Sequence, residues 1–222
     1  MSAARGLVMV EQRLRRIISP LLIVGSLVGG PAHAQFGVPW RHTPMVVVVS
    51  AGGDPRSRLV DEAVAFWNKT QADIGSRFRL GSVTHIVQLM PEEALKSLSQ
   101  SVLGALGGAD IPQALRDPPA DITIYLSQSE FVSFTGPFDA NMKRVIGIRG
   151  AQFAPMNLPN VALNVITHEL GHAIGLGHNS DPSKLMCGRP APCRPALFRS
   201  DTPHVFPLTD DEKRQLRMMY PP

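Results

Sequence analysis

The chain has 222 residues and a formal net charge of +4, and 44% of its residues are hydrophobic. Its basic excess comes mainly from the first residues, because without residues 1–34 the chain keeps 18 basic and 17 acidic residues, a net charge of +1. No basic cluster interleaved with aromatic residues follows, which argues against a nucleic-acid-binding protein. The remaining length of about 188 residues suits a single domain with a core of its own.

Residues 1–34 have the pattern of an export signal. Four arginines precede an apolar run over residues 17–28, and Ala32-His33-Ala34 supplies a small-residue cleavage site before Gln35. We therefore predict a signal peptide over residues 1–34 and a secreted or periplasmic protein. The apolar run is short for a membrane span, so we expect no stable membrane insertion after cleavage, and an uncleaved anchor is the alternative.

The next residues predict a strand, a helix and a second strand. Residues 45–50 contain four consecutive β-branched valines, which is typical of a strand covered on both faces. Asp54 and Pro55 suit an N-cap and a first helical position. The apolar residues that follow share a helical spacing: Leu59, Val60, Ala63, Val64 and Trp67. Residues 77–89 predict a strand region with a bend or bulge at Gly81.

The middle of the chain predicts one more helix and two more strands. Residues 91–102 combine a helical apolar spacing with acidic residues in the first turn. Glycine and proline pairs then indicate loops up to residue 119. Residues 121–126 and the short apolar run within residues 143–149 predict strands.

An eleven-residue motif, HELGHAIGLGH, begins at His168 and predicts a metal site. On a helix, His168 and His172 lie one turn apart on the same face, and Glu169 stands beside the first of them. Gly175 can take the left-handed conformation that ends a helix, which lets His178 approach the same metal. Three neutral imidazoles with one open position form the ligand set of a catalytic zinc. Glu169 then suits the role of a general base toward the attacking water.

The segments around this motif predict a buried helix, a loop and a closing helix. The motif helix should begin near Asn160, and apolar residues on both of its sides place it between a sheet and the floor of a cleft. Residues 188–207 hold five prolines and predict a loop. Thr209 and Glu212 have the spacing of a capping box that starts a C-terminal helix.

The motif resembles that of the metzincin clan of zinc endopeptidases. Metzincins have a methionine turn beneath the metal, and Met186 stands in the corresponding position here. Within the clan, the spacing from His178 to Met186 and the C-terminal LTDDE segment look most like the matrixins. Asn179 and Cys187 depart from the serine or threonine and the tyrosine that are usual there.

The resemblance implies an α/β (α+β) fold with a twisted, mostly parallel sheet, packed helices and a central zinc-binding helix. It implies one domain over residues 35–222, with an upper part over 35–178 and a small lower part over 179–222 that ends in a helix. In metzincins an edge strand beside the cleft pairs with extended substrate. Residues 143–149 and 130–134 are the two candidates for that strand.

The function that follows is zinc-dependent hydrolysis of peptide bonds in extended protein or peptide substrates. We expect one zinc ion to activate water and Glu169 to act as the base, and the resemblance implies that Met186 packs beneath the metal without binding it. Calcium sites stay possible without being indicated, and we expect a monomer. The alternative is a secreted binding or metal-sequestering module with a metzincin shell and little hydrolytic activity.

The two cysteines, Cys187 and Cys193, both follow the motif. Because an exported chain favours oxidised thiols, we predict a disulfide between them, which would contribute about 2 kcal/mol on the chain-entropy model. The alternative is that Cys187 is a fourth zinc ligand that keeps the protein latent.

Overall fold

In a computed structural model of the chain, five strands form one sheet in the order β2-β1-β3-β5-β4. The strands are β1 (Val46–Ser50), β2 (Val83–Val87), β3 (Ile122–Leu126), β4 (Phe134–Thr135) and β5 (Arg144–Ile148). Neighbouring strands are parallel except for β4, which runs antiparallel to β5. The predicted α/β class with a mostly parallel sheet is confirmed.

The structure describes residues 38–104, 110–137, 139, 142–188 and 204–222. The predicted signal peptide, Gln35, Cys193 and most of the loop predicted over 188–207 lie outside these residues. Within the described part of the chain, no helix has both the length and the apolar composition needed to cross a membrane.

The described residues form four α-helices: α1 (Arg56–Asp73), α2 (Glu92–Leu103), α3 (Pro159–Ala173) and α4 (Asp210–Met219). Helix α1 begins just after Pro55, and Asp54 Oδ1 accepts a hydrogen bond from the Arg56 main-chain N–H at 2.9 Å. All five residues of the predicted apolar stripe of α1 are buried. Thr209 and Glu212 form the predicted capping box at the start of α4.

The sheet separates two apolar cores, because alternate residues of a strand point to opposite faces. On one face Val46, Val48 and Ile124 pack with residues of α1 and α3. On the other face Val47 and Val49 pack with residues of α2. Strands β1, β3 and β5 are buried along their whole length, which accounts for the predominance of apolar residues in all three.

The edges of the sheet are β2 and β4. Residues 143–149 are therefore the wrong candidate for the substrate edge, because β5 pairs with β3 on one side and with β4 on the other. Strand β4 overlaps the other candidate, residues 130–134, at Phe134 alone. Gly81 precedes β2, and its N–H donates to the Pro44 carbonyl at 3.0 Å. A Cβ at position 81 would lie 2.9 Å from that oxygen, so a close crossing of two segments accounts for this glycine.

Candidate active site

Helix α3 carries the first two histidines of the motif and is buried over most of its surface. Leu163, Ile166 and Leu170 lie in the core that α3 shares with α1 and the sheet. The Trp67 indole N–H of α1 donates to the Thr167 carbonyl at 2.9 Å, which fixes the helix one residue before His168. The positions of the motif side chains are therefore set by the rigid core.

A glycine turn ends α3 and reverses the chain toward His178. Gly175 has a φ of 105°, its N–H donates to the His172 carbonyl at 3.0 Å, and the Leu176 N–H donates to the Gly171 carbonyl at 3.0 Å. These two bonds form a Schellman motif, which satisfies carbonyls that a helix end leaves without partners. The left-handed turn predicted at Gly175 is present.

Side chains from both ends of the described chain cap further carbonyls at this helix end. The Trp40 indole N–H donates to the Ala173 carbonyl at 2.9 Å. The Tyr220 hydroxyl donates to the Ile174 carbonyl at 3.0 Å, and burial raises the pKa of Tyr220 to about 12, so the hydroxyl keeps its proton. The turn after α3 is thus held from outside as well as by its own hydrogen bonds.

The three histidines of the motif converge on one point. The Nε2 atom of His178 lies 3.3 Å from that of His168 and 2.9 Å from that of His172. One ligand atom of each residue lies within 4.8 Å of those of the other two. His172 is buried, His168 is partly buried and His178 is exposed, so the cluster opens to solvent on the side of His178.

Main-chain carbonyls fix the orientation of two of these imidazoles. His168 Nδ1 lies 2.7 Å from the Leu185 oxygen, and His172 Nδ1 lies 2.8 Å from the Leu176 oxygen. A carbonyl only accepts hydrogen bonds, so each Nδ1 carries the proton and each Nε2 keeps a lone pair directed toward the cluster.

Burial lowers the pKa of His172 well below its ordinary value, and the nearby His168 and His178 lower it further. A neutral His172 is the form that binds a metal. Three converging Nε2 atoms with carbonyl partners behind two of the rings match the ligand set and outer hydrogen bonds of zinc sites. The residues present therefore fit a zinc ion.

Met186 packs directly beneath the motif helix. A Cβ at Gly171 would lie 2.5 Å from Met186 Sδ and 2.8 Å from Trp67 Cζ2, so the glycine between the first two histidines makes room for both side chains. Met186 is fully buried, as expected of a packing residue. The missing side chain at Gly171 lets the methionine approach the helix backbone.

The segment after His178 is pinned to the Met186 turn. The Asn179 N–H donates to the Met186 carbonyl at 2.8 Å, and the Gly188 N–H donates to the Asn179 carbonyl at 2.8 Å. A Cβ at Gly188 would lie 2.9 Å from the Cβ of His178, so Gly188 permits this close packing.

Asn179 also connects this segment to α4. Its Nδ2 donates to Glu212 Oε1 at 2.6 Å, and Glu212 Oε2 accepts a hydrogen bond from the Thr209 N–H at 2.7 Å. The Glu212 side chain is buried, and it therefore depends on these donors. Asn179, one of the two residues that depart from the usual matrixin pattern, thus donates a hydrogen bond to the capping box of the C-terminal helix.

Glu169 lies against the edge strand β4. Thr135 Oγ1 is 2.7 Å from the Glu169 carbonyl oxygen and 2.8 Å from its carboxylate Oε2. Both residues are buried. The sequence did not point to Thr135, because it lies 34 residues before Glu169 in a segment without a clear pattern.

Cys187 is buried, and its Sγ lies 3.6 Å from the Gly188 carbonyl oxygen. Cys193 lies outside the described residues, so the disulfide stays a prediction. Among the described residues, the ligand atoms of the three histidines lie within 4.8 Å of one another. Cys187 is not part of this group. The geometry therefore gives no support to Cys187 as a fourth ligand.

The matrixin family model matches residues 112–220, which include β3, the motif, the Met186 turn and α4. The sheet and the three-histidine cluster define a metzincin-like zinc metallopeptidase, and the predicted resemblance to that clan is confirmed. Among solved structures the chain is similar to archaemetzincin from Methanopyrus kandleri, with 19% identity, a TM-score of 0.48, and coverage of 81% of this chain and 97% of that one.

Proposed function

We propose that the protein is a secreted or periplasmic zinc-dependent endopeptidase that cuts extended protein or peptide substrates. The observation that carries the proposal is the convergence of three Nε2 atoms, from His168, His172 and His178, with the buried Glu169 directly following His168 on the same helix. The matrixin match supports the same chemistry. The export signal pattern of residues 1–34 supports the location.

The three histidines would hold the zinc ion through Nε2. When bound, zinc supplies a Lewis acid that polarises the scissile carbonyl and lowers the pKa of water. Glu169 accepts the proton of the attacking water and then delivers it to the leaving amine, so hydrolysis needs no covalent intermediate. Main-chain carbonyls keep His168 and His172 in the required tautomer throughout.

Strand β4 is the element that would bind the substrate. It is a sheet edge, and it carries Thr135 against the catalytic glutamate. An extended peptide that adds to this edge gains main-chain hydrogen bonds that are independent of its side chains. The scissile bond is thereby held close to Glu169.

A secreted binding or metal-sequestering module is the competing function. Such a protein needs the histidines but no general base. The buried and hydrogen-bonded Glu169 favours the enzyme. Burying a carboxylate costs free energy, and a site that only stores metal does not need this carboxylate.

The deciding experiment compares the purified parent protein, expressed as the full chain, with Glu169→Gln and the matched control Glu93→Gln. Glu93 is an exposed glutamate on α2, with a side chain that is 88% exposed. On unfolded casein we expect Glu169→Gln to lose at least about a hundredfold in kcat/KM while keeping its zinc, and Glu93→Gln to match the parent. Equal turnover by all three proteins would refute the proposed mechanism.

Ligand assignment and export have separate tests. Dialysis against a chelator should abolish turnover, and added zinc should restore it. His178→Ala should bind zinc at least about tenfold more weakly, and unchanged affinity would exclude His178 as a ligand. A secreted product that begins at Gln35 in N-terminal sequencing would support cleavage of the leader, whereas one that begins at Met1 would contradict it.

A further inference from the structure

Thr135 lies where the open edge of the sheet meets the motif helix. The two residues of β4 point to opposite faces: Phe134 belongs to the core under α2, and Thr135 faces α3. The exposed fraction is 6% for Thr135 and 7% for Glu169, so their contact is shielded from bulk water. A hydrogen bond in such surroundings is stronger than one at the surface.

The Thr135 hydroxyl contacts both ends of Glu169. It lies 2.7 Å from the main-chain oxygen and 2.8 Å from Oε2 of the same residue. A glutamate side chain has several rotatable bonds, and their freedom opposes a single position of the carboxylate. The Thr135 hydroxyl limits that freedom, because it is fixed on a strand and lies close to both the backbone and the carboxylate of Glu169.

The main chain of Thr135 faces the substrate edge. The Gly136 N–H donates to the Val145 carbonyl at 2.8 Å, so residues 136 and 145 are a hydrogen-bonded pair of the antiparallel ladder. Thr135 is opposite Ile146 in the register, and the two form the adjacent pair without mutual hydrogen bonds. The N–H and C=O of Thr135 therefore point away from β5, toward the open edge.

Strand β4 is anchored so that this arrangement is rigid. The guanidinium of Arg144, which is 1% exposed, donates from Nη1 to the Gly136 carbonyl at 3.3 Å. The ring of Phe134 lies over Gly147, where a Cβ would come within 2.4 Å of that ring. The residues before and after Thr135 are thus fixed by β5.

We propose that Thr135 is a positioning residue that holds the carboxylate of Glu169 for proton transfer and sets its distance from the peptide bound along β4. The role rests on the endopeptidase function proposed above. Its side chain acts on the base, while its main chain borders the substrate. A change of the side chain should therefore affect turnover and leave substrate binding nearly intact.

The test uses Thr135→Val, Thr135→Ala and Thr135→Ser in the full chain. Valine keeps the shape and the β-branched side chain but removes the hydroxyl, alanine removes it without adding a methyl group, and serine retains it. We expect kcat to fall about 10- to 100-fold in Thr135→Val and Thr135→Ala, with KM and zinc affinity within about twofold of the parent. Thr135→Ser should stay within about threefold of the parent in kcat.

Crystal structures of Thr135→Val and Thr135→Ser give a measurement that does not depend on turnover. The Glu169 carboxylate should leave its position in the valine variant and keep it in the serine variant. An unmoved carboxylate in Thr135→Val would overturn the positioning role, and so would an equal loss of kcat in the serine and valine variants. A higher KM with unchanged kcat would show instead that the residue acts only in substrate binding.

The activity of the parent protein distinguishes a failure of the Thr135 proposal from a failure of the proposed endopeptidase function. An active parent with a fully active Thr135→Val variant would refute the role of Thr135 alone. A zinc-loaded parent without turnover on any peptide would refute the endopeptidase function, and the role of Thr135 with it.

Discussion

The Nδ1 atom of His172 lies 2.8 Å from the carbonyl oxygen of Leu176, so the turn that ends α3 also orients the second imidazole of the cluster. Leu176 is held in turn by the hydrogen bond of its N–H to the Gly171 carbonyl. The end of the helix and the orientation of this imidazole therefore depend on the same few residues. A change in the turn should affect zinc affinity as well as stability.

Gly175→Ala tests that dependence. With a φ of 105°, position 175 is strained for any residue with a Cβ, and we expect a loss of about 1–3 kcal/mol in unfolding free energy. Zinc affinity should fall about tenfold because His172 loses its fixed orientation. The matched control is Gly177→Ala, where a Cβ meets nothing within 4 Å. Chemical denaturation measures the unfolding free energy of both variants, and zinc titration measures their zinc affinity. Equal stability and equal affinity in the two variants would contradict the proposed coupling between the turn and His172.

Gly171→Ala should be destabilising for a steric reason. The added Cβ would lie 2.5 Å from Met186 Sδ and 2.8 Å from Trp67 Cζ2, and the indole is fully buried and hydrogen-bonded to the Thr167 carbonyl. Overpacking of this kind costs about 1–3 kcal/mol. Thermal unfolding should therefore show a clearly lower Tm. A Tm equal to that of the parent would show that Met186 and Trp67 can repack.

Asn179 and Glu212 should be energetically coupled. Asn179 Nδ2 donates to the buried Glu212 carboxylate at 2.6 Å, so Asn179→Ala should cost about 1–3 kcal/mol. In a double-mutant cycle with Glu212→Gln, we expect the two losses to sum to more than the loss of the double variant. Lys213→Ala is the control, because its ion pair with Asp210 is exposed and worth at most about 1 kcal/mol. Strictly additive losses would indicate no coupling.

The metal-free protein should lose stability in acid. The pKa of His172 lies well below the ordinary histidine value of about 6.5 in the folded state, chiefly because of burial. Below pH 6.5 the unfolded chain therefore binds a proton that the folded chain does not. Unfolding free energy should then decrease as the pH falls from 6.5 toward the folded-state pKa, by up to about 1.4 kcal/mol per pH unit.

Urea denaturation of the chelator-treated protein between pH 5 and 8 measures this slope, and His172→Gln removes the group responsible for it. The slope below pH 6.5 should be smaller in His172→Gln than in the parent. The same slope in both proteins would show that His172 does not cause the acid sensitivity.

Local spacing was enough to predict several elements from the sequence. The continuous β-branched run of β1, the apolar stripe of α1 and the capping box at Thr209 each lie within one element. The left-handed turn at Gly175 was equally accessible, because only glycine adopts that conformation without strain. Motif spacing likewise identified the three histidines that the structure brings together.

Contacts between segments that are distant in sequence could not be predicted from local spacing. Residues 143–149 and 130–134 were equivalent as substrate edges until the sheet order placed β5 in the interior and β4 outside. Two further contacts could not be predicted from local patterns. They are the hydrogen bond of His168 to the Leu185 carbonyl and that of the Asn179 amide to Glu212.

The sequence by itself predicted the three histidines that converge, the proposed general base and the helix that carries three of these four side chains, because covalent spacing along one helix and one turn fixes their relative positions. Only the tertiary structure decided which strand borders the site and that Thr135 faces Glu169. The physical reason is that strand order and burial depend on how the whole core packs, so residues 34 positions apart meet only once the sheet and α3 are assembled.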